Sequence, residues 1–138
     1  MELSVLKVDD KKVDDGIWVK WMGDIRLRIA AITNDRYTEM RRRLVEERRH
    51  EVRAGGKVGA DAMEEIANEC VAKTIWLEAE NIMDEGVMMD TADPAVREAL
   101  LIKYPPLYGF IESVAVDGDQ YRLKEDEQGN SPKPSSGD

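Results

Sequence analysis

The spacing of apolar and polar positions changes period several times along this chain. Ile25, Leu27 and Ile29 alternate with Arg26 and Arg28, a period of two that predicts a strand. The run before it, Ile17-Trp18-Val19-Lys20-Trp21, is rich in β-branched and aromatic residues. Asp15-Gly16 is a turn signal, and Met22-Gly23-Asp24 separates the two runs as a short loop. Residues 16–31 are therefore expected to form a β-hairpin with Arg26 and Arg28 facing water. An isolated hairpin is marginal in water, so it needs a third strand from the N-terminus or a helix on its apolar face. Leu3, Val5 and Val8 are the candidates for such an edge strand, with Asp9-Asp10-Lys11-Lys12 as a solvated link.

From Asn34 the period becomes helical. Asn34 is placed to cap a helix whose inner face carries Tyr37, Met40, Leu44 and the aliphatic stem of Arg48. Ala54-Gly55-Gly56-Lys57-Val58-Gly59 ends it. Asp61 and Glu64 have the spacing of a capping box. Met63, Ile66, Ala67, Cys70, Thr74 and Leu77 then trace the core face of a long helix expected to reach about Glu80. Asp84-Glu85-Gly86 predicts a turn, which Val87 to Met89 leave as a short apolar run. Asp93-Pro94 reads as a helix start, with Val96, Leu100 and Leu101 on one face. Tyr104-Pro105-Pro106 stops that helix, because a residue before Pro is pushed out of the α region. Leu107, Phe110, Ile111, Val114 and Tyr121 make a further helical stripe, which Asp117-Gly118-Asp119 interrupts. Residues 124–138 hold no aliphatic or aromatic side chain and are expected to be a disordered tail.

The fold class expected is α+β. Residues 1–123 form one domain, with an N-terminal β-hairpin (two-stranded, or three-stranded with the N-terminal segment) packed on a bundle of about four α-helices over residues 34–123.

Composition narrows the function more by exclusion than by indication. The 138 residues are 42% hydrophobic and 36% charged, which suits one soluble domain. No apolar run approaches the roughly 20 residues that a membrane helix needs. The first 20 residues lack a basic start followed by an apolar core, so the expected compartment is the cytoplasm. Cys70 is the single cysteine and sits on a helical apolar face. It reads as a small buried apolar residue rather than a nucleophile.

The net charge of −9 lies entirely after residue 77, where 14 acidic residues face 5 basic ones. That balance opposes general nucleic-acid binding. The arginines of residues 41–53 admit a nucleic-acid patch, but Glu39, Glu46, Glu47 and Glu51 interleave with them at helical spacing and favour a solvated, paired helix. The Gly-rich run around Lys57 lacks the Gly-Lys-Ser/Thr ending of a phosphate loop. His50 is the only histidine, and no cysteine or histidine cluster has metal-ligand spacing. Glu78 with Glu80, or Asp84 with Glu85, is the nearest approach to a carboxylate pair, and side chains so spaced diverge on a helix. No enzymatic activity, cofactor or metal is expected.

The order of these elements resembles the phage tail assembly chaperones of long-tailed bacteriophages and prophages. The resemblance starts at Gly16, Trp18, the alternating Ile25, Leu27 and Ile29, then Asn34 and Tyr37 at a helix start. A charged helix and variable loop match residues 41–59. The Asn-x-x-Asp-x-x-Gly-like turn is similar to Asn81-Ile82-Met83-Asp84-Glu85-Gly86, followed by Thr91 and the leucine pair Leu100-Leu101. A Pro-led helix with Phe-Ile corresponds to residues 105–111, and an acidic run closing in Asn-Ser to residues 125–131. The family's Trp before the turn falls where this chain has Ala79-Glu80, with Trp76 one helical turn earlier.

What the resemblance implies is a non-enzymatic assembly factor in the host cell cytoplasm. Its partners would be the tape measure protein, which it keeps soluble, and the major tail protein, which it helps recruit. Two other readings compete: a tail completion or terminator subunit retained in the virion, and a small nucleic-acid-binding regulator using the Arg-rich helix. No membrane partner is expected. Reversible contact with many similar apolar sites suits methionine, which is flexible and polarizable. Met83, Val87, Met88 and Met89 around the turn are the candidate partner contacts, the alternative being that they fill gaps in the core.

Overall fold

The structure, a computed structural model, describes residues 2–124. The expected disordered tail, apart from Lys124, lies outside the described residues. The fold is α+β, as its periodicities predict, with a three-stranded antiparallel sheet against helices.

The elements run in the order α1 (Asp10–Asp15), β1 (Ile17–Lys20), β2 (Arg26–Ile29), α2 (Asp35–Glu47), α3 (Arg49–Ala54), α4 (Gly56–Cys70), a π-helical turn (Val71–Ile75), β3 (Trp76–Glu80), β4 (Met83–Asp84), β5 (Val87–Met88), α5 (Pro94–Lys103) and α6 (Pro105–Ala115). The sheet order is β1-β2-β3, and β4 pairs only with β5.

Two expectations are corrected at the sheet. The third strand does not come from the N-terminus. Leu3–Leu6 is a 3₁₀ turn, and Asp9 caps the short helix α1 by accepting from the Lys11 and Lys12 amides. Nor does the long helix reach Glu80. It ends at Cys70, widens into the π-helical turn, and continues as β3. The competing force is the sheet itself. Arg26 and Arg28 on β2 lie opposite Glu80 and Glu78 on β3, each pair at 3.1 Å, with Leu27 opposite Ala79 between them. A strand puts Glu78 and Glu80 on one face. Both carboxylates are therefore engaged by arginines, which are ion-paired rather than simply facing water.

Gly16 has a structural reason. Its φ is +86°, and a Cβ there would stand 3.0 Å from the Ile29 carbonyl carbon. Only glycine allows the chain to enter β1 so close to β2.

The main core lies between the sheet and α5, α6 and the π-helical turn. It contains Leu27, Ile29, Ile75, Trp76, Leu100, Leu101, Leu107 and Ile111. Trp76 is its largest fully buried side chain, and its Nε1 donates to the Glu78 carbonyl at 3.0 Å. A second cluster joins α2 to α4 through Leu44, Ile66 and Cys70. A third joins Val13, Ala31 and Tyr121, whose hydroxyl donates to the Ile29 carbonyl at 3.0 Å. Tyr121 belongs to a 3₁₀ turn, Gly118–Tyr121, because α6 ends at Ala115. The two ends of the described chain meet there: the Asp9 amide donates to the Tyr121 carbonyl and the Leu123 amide to the Lys7 carbonyl, around a Val8–Arg122 bridge.

Candidate interaction surface

The short β4–β5 hairpin turns at Glu85 (φ 51°) and Gly86 (φ 83°). Two consecutive left-handed residues match the twist of a two-residue hairpin, and Gly takes the second position without strain. Ile82 is buried and Met89 half-buried against the main core, linked by the Met89 amide donating to the Ile82 carbonyl at 2.9 Å. Between these anchors the hairpin projects. Met83, Val87 and Met88 are 59%, 61% and 59% exposed. Of the four sequence candidates, three thus stand on the surface and Met89 packs inward.

Charge pins the hairpin to the end of α5. Lys103 Nζ lies 2.8 Å from Asp84 Oδ2 and 2.5 Å from Glu85 Oε2, and the Tyr104 hydroxyl donates to Asp84 Oδ1. The Lys103 ammonium and then the Tyr104 hydroxyl hold the Asp84 carboxyl below its usual range. The same carboxylates push the Lys103 ammonium upward. On the other side, Asn81, itself left-handed at φ 68°, donates from Nδ2 to the Asp24 carbonyl at 2.9 Å. The hairpin is thereby tied to the β1–β2 turn.

These ties frame an apolar groove of about 220 Å³. One wall is Trp21, Met22 and Ile25 from the β1–β2 turn; the other is Ile82, Met83 and Asp84. Leu100, Tyr104, Pro106 and Leu107 form its floor and far end. Trp21 stacks on Phe110 with ring centroids 5.7 Å apart, which braces the first wall. Met22 is 60% exposed at its lip. The sequence places Met22 in a loop, and a methionine at a hairpin turn is the signal that marks it. Lys103 and Tyr104 carried no such signal, because their role depends on a fold that brings α5 under the turn.

Four arginines in and between α2 and α3 meet glutamates: Arg42 with Glu39, Arg43 with Glu47 at 3.2 Å, Arg49 with Glu46 at 2.8 Å, and Arg48, at the junction, with both Glu51 and Glu65 at 2.8 Å. Cys70 is fully buried, and burial pushes its thiol up to about 11. A thiol so placed stays protonated at neutral pH and is a poor nucleophile. Among the described residues, no three His, Cys, Asp or Glu side chains are placed to hold a metal ion, and no helix is long and apolar enough to cross a membrane.

Sequence reasoning overlooked a buried guanidinium. Arg97, 5% exposed, donates from Nε to the Ala72 carbonyl at 2.9 Å and from Nη1 to the Thr91 carbonyl at 2.8 Å. Thr91 in turn donates to the Ala79 carbonyl at 3.0 Å. This set of bonds locks α5 and the turn leading into it onto the π-helical turn and β3. Its sequence signal was position: Arg97 falls three and four residues before Leu100 and Leu101, on the core face.

No family model, curated protein or solved structure matches this chain. The geometry and the order of motifs are therefore what a functional reading rests on.

Proposed function

We propose that this chain is a tail assembly chaperone of a long-tailed bacteriophage or prophage. In this reading it binds the tape measure protein in the host cytoplasm, keeps it soluble, and helps recruit the major tail protein. The resemblance in motif order supports the class of protein. The observation that carries the reading is the exposed Met83-Val87-Met88 tip beside an apolar groove whose lip bears Met22. Such a face favours reversible apolar contact, because methionine adapts its shape to unlike partners at low cost.

The test is co-expression with the tape measure protein encoded in the same genome. The expected result is that the tape measure protein stays soluble and co-purifies with this chain. Precipitation of the tape measure protein with this chain left free would overturn the reading. Recovery of the chain from purified particles would favour a retained tail subunit instead.

A further inference from the structure

We infer that the cleft where α4 meets α5 and α6 binds a primary carboxamide carried on a flat apolar body. This goes beyond the chaperone reading and does not rest on it.

The decisive residue is Asn68 on α4. The buried Asn, Thr and Arg side chains among the described residues are Asn34, Asn68, Thr74, Thr91 and Arg97. Four of them are bonded within the fold. Asn34 donates to the Ala31 and Thr74 carbonyls and accepts from the Tyr37 amide. Thr74 donates to the Cys70 carbonyl, and Thr91 and Arg97 donate to the carbonyls of Ala79, Ala72 and Thr91 itself. Asn68 is 8% exposed, yet its side chain makes no hydrogen bond to any described residue. Among the described residues, no side-chain nitrogen or oxygen that is closed off from solvent lacks a partner. The Asn68 amide therefore opens into the cleft that it lines. Asparagine is also a poorer helix former than leucine, so α4 carries this amide at a cost.

The apolar body follows from the walls and the size. Ala67, Leu101, Ile102, Pro105 and Tyr108 form the walls, around a volume of about 200 Å³. An apolar cavity of about 150 Å³ takes a benzene ring. This cleft therefore has room for a ring and one further group. Ile102, 60% exposed, stands at its rim.

The polar end follows from what Asn68 lacks. Its carboxamide offers an acceptor, Oδ1, and donors on Nδ2. A ligand that meets one and not the other leaves a desolvated polar atom unpaired, which offsets the bond that is made. A primary carboxamide meets both, donating to Oδ1 and accepting from Nδ2. An ammonium meets only Oδ1, and a carboxylate only Nδ2. Glu64 is the one charged side chain lining the cleft, and it makes no ion pair with a described residue. Lys57, earlier on α4, is bonded to Asp61 at 2.9 Å. The Glu64 carboxylate repels an anionic ligand. Its pull on an ammonium is weak, because Glu64 is exposed and water screens it. The desolvated Asn68 amide therefore decides between the carboxamide and the amine.

The experiment uses the full chain, labelled with ¹⁵N, and three probes that share one ring: benzamide, benzylamine and benzoate. Binding is read from the side-chain amide resonances of Asn68. Benzamide is expected to shift them with an affinity about tenfold above that of either other probe. N-acetylglutamine amide, which has the same group on a side-chain stem without a ring, is expected to bind several-fold more weakly than benzamide. Asn68→Leu is expected to abolish the preference for benzamide, read by ligand-observed NMR, and to raise the urea midpoint, since it removes an unpartnered amide from a helix. Ile102→Ser leaves that amide in place and is expected to weaken benzamide several-fold with an unchanged midpoint.

Benzamide binding no tighter than benzylamine or benzoate would overturn the inference. So would an Asn68→Leu variant with unaltered preference, or one with a lowered midpoint, since Asn68 would then serve the fold. Equal binding of N-acetylglutamine amide would remove the flat body from the ligand and assign the cleft to a protein side chain instead.

Discussion

Arg97 holds two backbone carbonyls where water does not reach. Burial lowers the affinity of its guanidinium for a proton, yet the group stays charged because its ordinary value is so high. Replacing it removes a desolvated charge but leaves the Ala72 and Thr91 carbonyls without this donor, at about 1–3 kcal/mol each. The orphaned acceptors outweigh the relief. Arg97→Met is expected to lower unfolding stability by about 2–4 kcal/mol, read from the urea midpoint. Arg97→Lys should not restore it, since an ammonium lacks the fork that spans two acceptors. A loss within the range of ordinary surface substitutions would show that the bonds matter little. Cys70 gives a second test at this scale. Its thiol titrates near 11 when folded against an ordinary 9.0. The folded state therefore binds more protons than the unfolded state between those values, and stability falls as pH rises from about 9 toward 11. At pH 8 a thiol reagent should label the native chain far more slowly than the chain in urea. Equal rates would mean that the α2–α4 contact opens readily.

At the scale of elements, the β1–β2 hairpin depends on a strand that arrives some fifty residues later. Strands β1 and β2 have four residues each, and β2 buries Leu27 and Ile29 only once β3 and the helices are in place. The 16–31 peptide alone should therefore give a coil spectrum, without cross-strand contacts between Ile17 and Ile29 by NMR. Detection of those contacts would show that the hairpin is self-sufficient. The β4–β5 hairpin differs in kind. Its turn residues and the Lys103 clamp hold it in shape, while its anchors Ile82 and Met89 carry its burial. Exposed apolar side chains on so small an element cost its stability little, because the neighbours that matter are elsewhere.

Across the whole molecule, the parts legible in the sequence are those fixed by local rules. Asn34 caps α2 by accepting from the Tyr37 amide at 2.9 Å, Asp93 caps α5, and Gly86 completes the predicted turn. The alternation at Ile25, Leu27 and Ile29 fixes β2. One local rule misled: Asp61 lies inside α4, which starts at Gly56, and caps nothing. The other misreading, at the sheet, depends on partners distant in sequence. Residues 76–80 carry a helical continuation of the stripe from α4, but opposite them stand the charges of Arg26 and Arg28, and the sheet wins. The complementary spacing, Arg-x-Arg against Glu-x-Glu, was readable and is the clue that a periodicity count overlooks. The site divides in the same way. The methionine tip was visible as composition beside a turn, whereas the opposing wall at Trp21 and Met22 became part of it only through the tertiary fold.

The meeting of the two described ends has a consequence for attachment. The antiparallel clasp around Val8 and Arg122 sits by Tyr121, whose hydroxyl is bound at Ile29, the open end of the β1–β2 hairpin. The groove sits at that hairpin's closed end, by Trp21 and Ile25. The described chain therefore enters and leaves at one pole and carries its groove at the other, like a ladle with its handle at one end and its bowl at the other.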